Sequence, residues 1–375
     1  MSRKQPKIAI VHDWLTVMGG AEPLVLELHK LFPDAPVYTS VYDKDKMPAF
    51  HGIDVRTTYL QKILPRFIRY KHVLWPVLRA YAFRKLDLSQ FDIIISSSSA
   101  EAKAVRKTRP DQQHIAYIHT PTRYYWSHYD EFKKEFNFGR LTPLIRPFIP
   151  AFVKWMRRLD LRSVKDIDVF IANSTVTQQR IKKYYEQPST VVYPPVDVDR
   201  FTPSPKGERN GYVVWGRHVP YKRFDLAIKA CNKLGRDLTI IGSGPDTERL
   251  KKLAGPTIHF MGRVSDAVLE KTVQSSRACL FPNEEDFGLV AVESLAAGTP
   301  VIAYARGGAL DIVQDGETGV LFDHQTVDGL CDAIRHFETL SFLPATLHRK
   351  AKRFDKSMFV TKMNKIVGDA ISKRG

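Results

Sequence analysis

A chain of 375 residues, 43% hydrophobic and 26% charged, is too long for one ordinary core and suits two domains of roughly 150–200 residues, which excludes a disordered or collagen-like protein. Cys231, Cys279 and Cys331 are too few and too scattered for a disulfide framework or a zinc cluster, and they point to a reducing compartment. The net charge of +17 raises the question of an anionic partner, either a nucleic acid or a lipid surface.

Short β-branched runs alternate with longer amphipathic segments, the pattern of βαβ units around a mostly parallel sheet. Lys7–Val11 reads as the first strand, and Gly19-Gly20-Ala21-Glu22 opens a helix through about Leu31. The apolar run that begins after Arg3, Lys4 and Lys7 stops at His12-Asp13, too short for a signal peptide. Later strands are predicted at Phe91–Ser96, His114–His119 and Asp168–Asn173, followed by a helix over Ser174–Tyr185 capped by Ser174 or Thr175. The pattern then restarts. Gly211–Trp215 is a strand ending in Gly216-Arg217, and a helix covers Phe224–Leu234. Strands follow at Asp237–Ile241, Thr257–Phe260, Arg277–Phe281 and Pro300–Ala303, which makes Cys279 a packing residue. Two successive open α/β patterns imply two Rossmann-like domains, joined near Tyr193-Pro194-Pro195-Val196-Asp197, with ligand expected beyond the carboxyl ends of the strands in the cleft between them.

The charge is unevenly spread. Residues 1–200 hold 32 Lys and Arg against 20 Asp and Glu, and Arg56–Lys85 contains eight basic residues, Arg79 among them, and no acid. A second basic stretch, Arg140–Arg162, interleaves Leu144, Ile145, Phe148, Ile149, Phe152 and Trp155 with arginine and lysine. Bulky apolar and basic residues at helical spacing suit a surface lying on anionic lipid headgroups, and they equally suit a basic helix with one face in the core. A nucleic-acid surface is the rival, disfavoured because grooves that track phosphates need less aliphatic bulk. No run approaches the ~18 uncharged apolar residues of a membrane span. The expectation is a cytoplasmic protein, peripheral on the inner face of the cell membrane.

Three segments carry chemistry. In Phe281–Pro300 a strand ends, an acidic loop follows, and a helix of small residues starts near Gly288 and closes at Gly298. Free amides at a helix start attract phosphate or sugar oxygen, and Glu285 and Glu293, eight positions apart, can accept hydroxyl hydrogen bonds at two depths. A solvated loop before a buried helix is the plainer alternative. Gly216-Arg217-His218-Val219-Pro220-Tyr221-Lys222-Arg223 follows another strand, and a planar guanidinium with a mobile ammonium suits a diphosphate, although such a turn can also be ordinary basic surface. Gly242-Ser243-Gly244-Pro245 lacks the third glycine of the dinucleotide fingerprint. Asp43-Lys44-Asp45, Asp166-Ile167-Asp168 and Asp197-Val198-Asp199 mimic metal-binding acidic pairs but do not sit at predicted strand ends facing the cleft.

The Glu285-x7-Glu293 spacing, the Gly216-Arg217-x4-Lys222 turn and the Gly19-Gly20-Ala21-Glu22 loop resemble the retaining GT-B glycosyltransferases of family 4 over almost the whole chain. The resemblance implies an α/β fold of two Rossmann-like domains facing across a cleft. Residues 1–192 would bind the acceptor and 193–353 the nucleotide-sugar, while 354–375 would form a helix returning to the first domain. It further implies that Arg217 and Lys222 hold the donor diphosphate and Glu285 the sugar hydroxyls, with Phe287, Gly288 and Leu289 presenting backbone to sugar and phosphate. Glu293 would take the ribose hydroxyls, Gly19 and Gly20 would let the first helix start approach the diphosphate, and His119 would sit beside the reacting sugar. Asp311, after Gly307-Gly308, stands where the family usually has Glu. The stretch His119-Thr120-Pro121-x-Arg123-Tyr124-x-Trp126 is similar to mannosyltransferases that build bacterial surface polysaccharides, which makes GDP-mannose the favoured donor and a saccharide or lipid-linked saccharide the acceptor. No metal or other cofactor is required on this reading, because Arg217 and Lys222 supply the positive charge, and no nucleic acid is expected as partner. A sugar-nucleotide epimerase of the same architecture, a nucleic-acid-binding protein and a sugar-nucleotide binder without turnover remain the alternatives.

Overall fold

The computed structural model describes residues 6–70, 72, 75–127, 129, 146–203 and 209–373. The chain divides into two compact units, Met1–Tyr193 with Val360–Gly375, and Pro194–Phe359.

The first unit is built on a seven-stranded sheet with every pairing parallel. It comprises β1 (Ile8–His12), β2 (Val37–Thr39), β3 (Val55–Thr57), β4 (Ile93–Ser98), β5 (Gln113–Ile118), β6 (Val169–Ala172) and β7 (Thr190–Val191), in the order β3-β2-β1-β4-β5-β6-β7. All six residues of β4 are buried, as expected of a central strand covered on both faces. The order reverses between β1 and β4, where His12 and Ser97 face each other in register. β4 starts two residues later than predicted because Asp92 anchors the chain start: its amide donates to the Lys7 carbonyl at 2.7 Å, and its carboxylate accepts from the Lys7 amide at 2.8 Å.

The second unit carries a six-stranded parallel sheet. It comprises β8 (Tyr212–Trp215), β9 (Leu238–Ile241), β10 (Ile258–Gly262), β11 (Ala278–Phe281), β12 (Val301–Tyr304) and β13 (Gly319–Phe322), in the order β10-β9-β8-β11-β12-β13. The reversal here lies between β8 and β11. Helix Phe224–Leu234 forms where predicted. Phe224, Ala227, Ile228 and Cys231 recur at helical spacing and are buried, and Gly235 ends the helix at φ +61°, a left-handed conformation that costs glycine little. Helix Val327–Phe337 buries Leu330, Ile334 and Phe337 in the same core, and Cys231, Cys279 and Cys331 are buried free thiols. Burial pushes the Cys231 thiol up to about 12, as suits a residue that packs in the core. The final helix spans Lys356–Ser372.

The basic stretches lie partly in the core and partly on the surface. Arg56 lies in β3 and pairs with Asp54, while Arg79 is only 2% exposed and donates to Glu101 at 2.5 Å. Arg79 is therefore a core residue and no part of a lipid-facing patch. Helix Ile149–Ser163 buries Val153, Met156 and Asp160 and turns Phe152, Trp155, Lys154 and Arg158 outward. Residues 71, 73, 74 and 140–145 of these stretches lie outside the described residues. The acidic pairs hold lysines and a tyrosine: Asp168 pairs with Lys107, Asp197 with Lys356 and Asp199 with Lys352, and Asp43 accepts from Tyr70. Among the described residues, no helix is long and apolar enough to cross a membrane.

Candidate active site

In the second unit the candidate loops leave β8 and β11, the two strands flanking the reversal in strand order, where open α/β sheets form their ligand crevice. After Trp215 the chain turns at Gly216 (φ +134°) and passes the exposed Arg217. It then makes a one-turn helix at Pro220–Lys222 before Arg223 (φ +53°) launches helix Phe224–Leu234. After Phe281 come Asn283, Glu285 and Gly288 (φ +114°), then helix Leu289–Ala296. The two loops meet. Lys222 Nζ donates to Glu285 Oε1, and Asn283 Nδ2 donates to the same oxygen at 2.8 Å. Both members of the ion pair are largely shielded, with side chains 13% and 16% exposed, so their attraction exceeds that of a surface pair.

Each loop is braced from behind by a glycine loop. A Cβ on Gly242 would stand 2.0 Å from the Gly216 carbonyl oxygen, and one on Gly308 would stand 2.1 Å from that of Phe287. The Gly242-Ser243-Gly244 sequence, a poor match to the dinucleotide fingerprint, thus supports the Arg217–Lys222 turn by close backbone approach. Gly308 also donates its amide to the Glu285 carbonyl at 2.8 Å, so the Gly307-Gly308 loop sets the acidic loop's height.

Glu293 lies one turn inside its helix and is half-buried, and Trp215 Nε1 donates to its Oε2 at 3.4 Å. Loss of solvation pushes its carboxyl up to about 7, with the Trp215 hydrogen bond and the charges of Arg200 and Lys222 opposing. A carboxyl whose pKa rises on folding favours the protonated native state, so its contribution is lost as pH climbs from 4.5 to about 7. Glu293→Gln is therefore expected to raise the thermal midpoint at pH 8 and leave it nearly unchanged at pH 5. Equal shifts at both pH values would refute the desolvation.

The first unit gathers a second group at its own reversal point. His119, 9% exposed, follows β5, and its Nε2 lies 2.8 Å from Ser97 Oγ. Ser97 also lies beside His12, whose Nδ1 is 3.1 Å from the Ser97 carbonyl oxygen and 3.2 Å from Oγ. His12 Nε2 stands 3.6 Å from Glu22 Oε1, and Glu22 Oε2 accepts the Gly19 amide at 2.7 Å. Burial depresses the His12 pKa, but hydrogen bonding and charge from Glu22 override it and hold His12 above its ordinary value; Glu22, pushed up by burial, is held low by His12 in turn. Asp13 is a structural anchor, its carboxylate accepting the amides of Ser99, Ala100 and Ala102 at 2.6, 2.9 and 2.7 Å.

Lys222, Glu285, Gly216 and the start of helix Leu289–Ala296 thus cluster, with Glu293 beneath. Arg217 makes no hydrogen bond or ion pair among the described residues. Gly19 spends its amide on Glu22. Sequence reasoning does not single out Asn283, Trp215, His12 or Ser97; the signal it could use is that each ends, or closely follows, a predicted strand. Trp126 is partly buried against the core, donating to Asp160 at 2.8 Å and stacking on Tyr184 at 5.0 Å.

Residues 18–200 match the family model of Glycosyltransferase Family 4, and residues 196–354 match that of Glycosyl transferases group 1. A GDP-mannose-dependent alpha-(1-6)-phosphatidylinositol monomannoside mannosyltransferase of Mycobacterium tuberculosis is 33% identical over 206 residues, 46% of this chain and 54% of that protein. A D-inositol 3-phosphate glycosyltransferase of a Mycobacterium species is 32% identical over 213 residues, 50% and 48% of the two chains. The chain spans about half the length of the curated relatives it matches. Among solved structures, Anabaena HepE in complex with UDP and glucose superposes with a TM-score of 0.70 at 18% identity, covering 97% of this chain and all of that one. Sucrose-phosphate synthase of Thermosynechococcus elongatus does so with a TM-score of 0.71 at 16% identity and 97% coverage of this chain. With two adjoining matches that run from residue 18 to residue 354 and two parallel sheets of the matching architecture, the chain belongs to the family 4 glycosyltransferases of GT-B fold.

Proposed function

We propose that this protein is a retaining glycosyltransferase that moves mannose from GDP-mannose to a saccharide or lipid-linked saccharide acceptor in cell-surface glycan synthesis. The observation that carries the reading is the shielded Lys222–Glu285 pair at the strand reversal of the second unit, beside a helix start. Breaking the bond to a nucleoside diphosphate leaves negative charge on phosphate oxygen and positive character on the anomeric carbon. Lys222, Arg217 and the amides at Phe287–Leu289 answer the first, and fixed charge of this kind can supply most of a catalyst's advantage over water. Glu285, released from Lys222 by the incoming diphosphate, accepts from sugar hydroxyls. Glu293 engages the ribose, and His119 serves the reacting sugar. The acceptor attacks on the face the diphosphate leaves, and a phosphate oxygen takes its proton; no covalent sugar–protein adduct forms. With lysine and arginine carrying the charge, the transfer requires no metal. The mannose assignment is supported by the mannosyltransferase among the relatives and by the His119–Trp126 stretch.

A thermal-shift panel of GDP-, UDP- and ADP-sugars tests the donor. A site-bound nucleotide-sugar at 100 times its Kd adds about 2.7 kcal/mol of stability. GDP-mannose is expected to shift the midpoint most; no shift with any of the three would remove the donor site. Product analysis with donor alone separates transfer from epimerisation.

The exposed stripe of Phe148, Phe152 and Trp155, with Lys154 and Arg158 alongside, supports attachment to an anionic membrane surface. Sedimentation with phosphatidylglycerol vesicles at low salt is expected, weakened severalfold in Phe152→Ser/Trp155→Ser. Equal sedimentation of that variant would move the contact elsewhere.

A further inference from the structure

We propose that Glu22, His12 and Ser97 form a buried relay that holds His119 as the tautomer hydrogenated on Nδ1, making them positioning residues for the transfer. The inference rests on the reading of His119 as a group of the transfer site, and it assigns roles to three residues which that reading leaves idle.

The polarity of the chain follows from what each group can donate. Glu22, 5% exposed and already accepting the Gly19 amide, is an ionised acceptor 3.6 Å from His12 Nε2. His12, 2% exposed, needs hydrogen on Nδ1 to reach the Ser97 carbonyl oxygen, and the Glu22 carboxylate facing its Nε2 favours hydrogen there as well. Its Nδ1–H points at Ser97, shared between the carbonyl oxygen at 3.1 Å and Oγ at 3.2 Å. A cationic ring offers Ser97 no acceptor, so the single hydroxyl hydrogen of Ser97 goes to the remaining ring, His119 Nε2, at 2.8 Å. With Nε2 accepting, the hydrogen of a neutral His119 sits on Nδ1.

Backbone geometry makes the relay rigid. His12 and Ser97 are register partners across β1 and β4, and the His119 amide donates to the Ser98 carbonyl at 2.9 Å. Thr177 Oγ1 donates to the His119 carbonyl at 3.2 Å, which fixes the residue from the helix side. Glu22 ties the far end of the relay to the Gly19-Gly20 loop. A wrong tautomer would aim a lone pair where a hydrogen is needed, which is why orienting partners can matter as much as the group they orient.

The test uses the full chain labelled with 15N-histidine, with long-range 15N–1H correlations recorded near pH 6 without donor or acceptor. The His119 signals are identified by their loss in His119→Asn. In the wild type, His119 is expected to show a hydrogen-bearing Nδ1 and a bare Nε2, and His12 to show both nitrogens hydrogenated. Ser97→Ala is expected to move a measurable share of His119 to the Nε2 tautomer and to lower kcat by about tenfold, with the donor KM changed less than about threefold. Ser97→Thr, which keeps the hydroxyl, is expected to retain the wild-type ring signature. A wild-type His119 hydrogenated on Nε2 overturns the relay, and so does a Ser97→Ala variant with unaltered tautomer. If Ser97→Ala does not fold, the wild-type spectrum and Glu22→Gln decide instead: the His12 ring must lose its second hydrogen in that variant, and retention overturns the relay. An altered tautomer with wild-type turnover overturns the positioning role. Absence of transfer by the wild type with any nucleotide-sugar overturns the functional reading alone, because the ring signatures are read without substrate.

Discussion

Lys222→Ala is expected to lower kcat/KM for the nucleotide-sugar by about two orders of magnitude or more. Two losses combine. On the proposed role of Lys222, the leaving diphosphate would lose an ammonium whose side chain is only 13% exposed, in a shielded setting where charge acts more strongly than in water. Glu285 also loses its counter-charge, and among the described residues Asn283 is left to hold its Oε1. Lys222→Arg is expected to recover only part of the rate, because a planar fork cannot replace a point charge against the same carboxylate oxygen. Arg217→Ala should cost less, since Arg217 stands exposed before donor arrives. Steady-state rates with a fixed acceptor provide the check; a Lys222→Ala enzyme within about threefold of wild type would remove the diphosphate clamp.

Glu101→Ala should destabilise the first unit by about 3–5 kcal/mol, because it strands Arg79 as a buried cation. Arg79 and Glu101 have side chains 2% and 5% exposed, and no water replaces the lost partner readily. The guanidinium also donates to the His72 carbonyl at 3.2 Å and lies 4.7 Å from the Trp14 ring, so its collapse would disturb the end of β1 as well. Arg79→Met/Glu101→Leu, which removes both charges, should regain most of the loss. Urea unfolding followed by tryptophan fluorescence can resolve the effect, since Trp14, Trp75, Trp126 and Trp155 belong to the first unit and only Trp215 to the second. A loss below about 1 kcal/mol for Glu101→Ala would show the pair to be solvated.

Lys103 and Asp160 form a similar pair at 2.9 Å, with side chains 1% and 6% exposed, and Asp160 also accepts from Trp126 and Tyr185. Much of the polar character of the stretch after His119 therefore serves packing. Tyr125 donates to Glu101 at 3.2 Å and Trp126 to Asp160 at 2.8 Å.

The chain's own pattern determined the repeating α/β architecture, the position of most strands to within two residues, and the loops at Gly216–Lys222 and Phe281–Leu289. Continuous β-branched runs and helical spacing are local properties, and a strand followed by glycine and charge is visible without any partner. Strands β2, β3 and β7 were not legible, because two or three residues carry too little pattern and acquire strand geometry only from a neighbour's ladder; β13 was missed as well. Charge was the least legible feature. Arg79 reads the same in sequence as Arg66, yet one is sealed against Glu101 and the other stands in solvent. Only the tertiary structure decided which carboxylate faces which cation, because Lys222 and Glu285 lie 63 positions apart and His12 and Ser97 lie 85 apart. Strand order alone brings them together, and it is set by how whole sheets bury their faces rather than by any short run of residues.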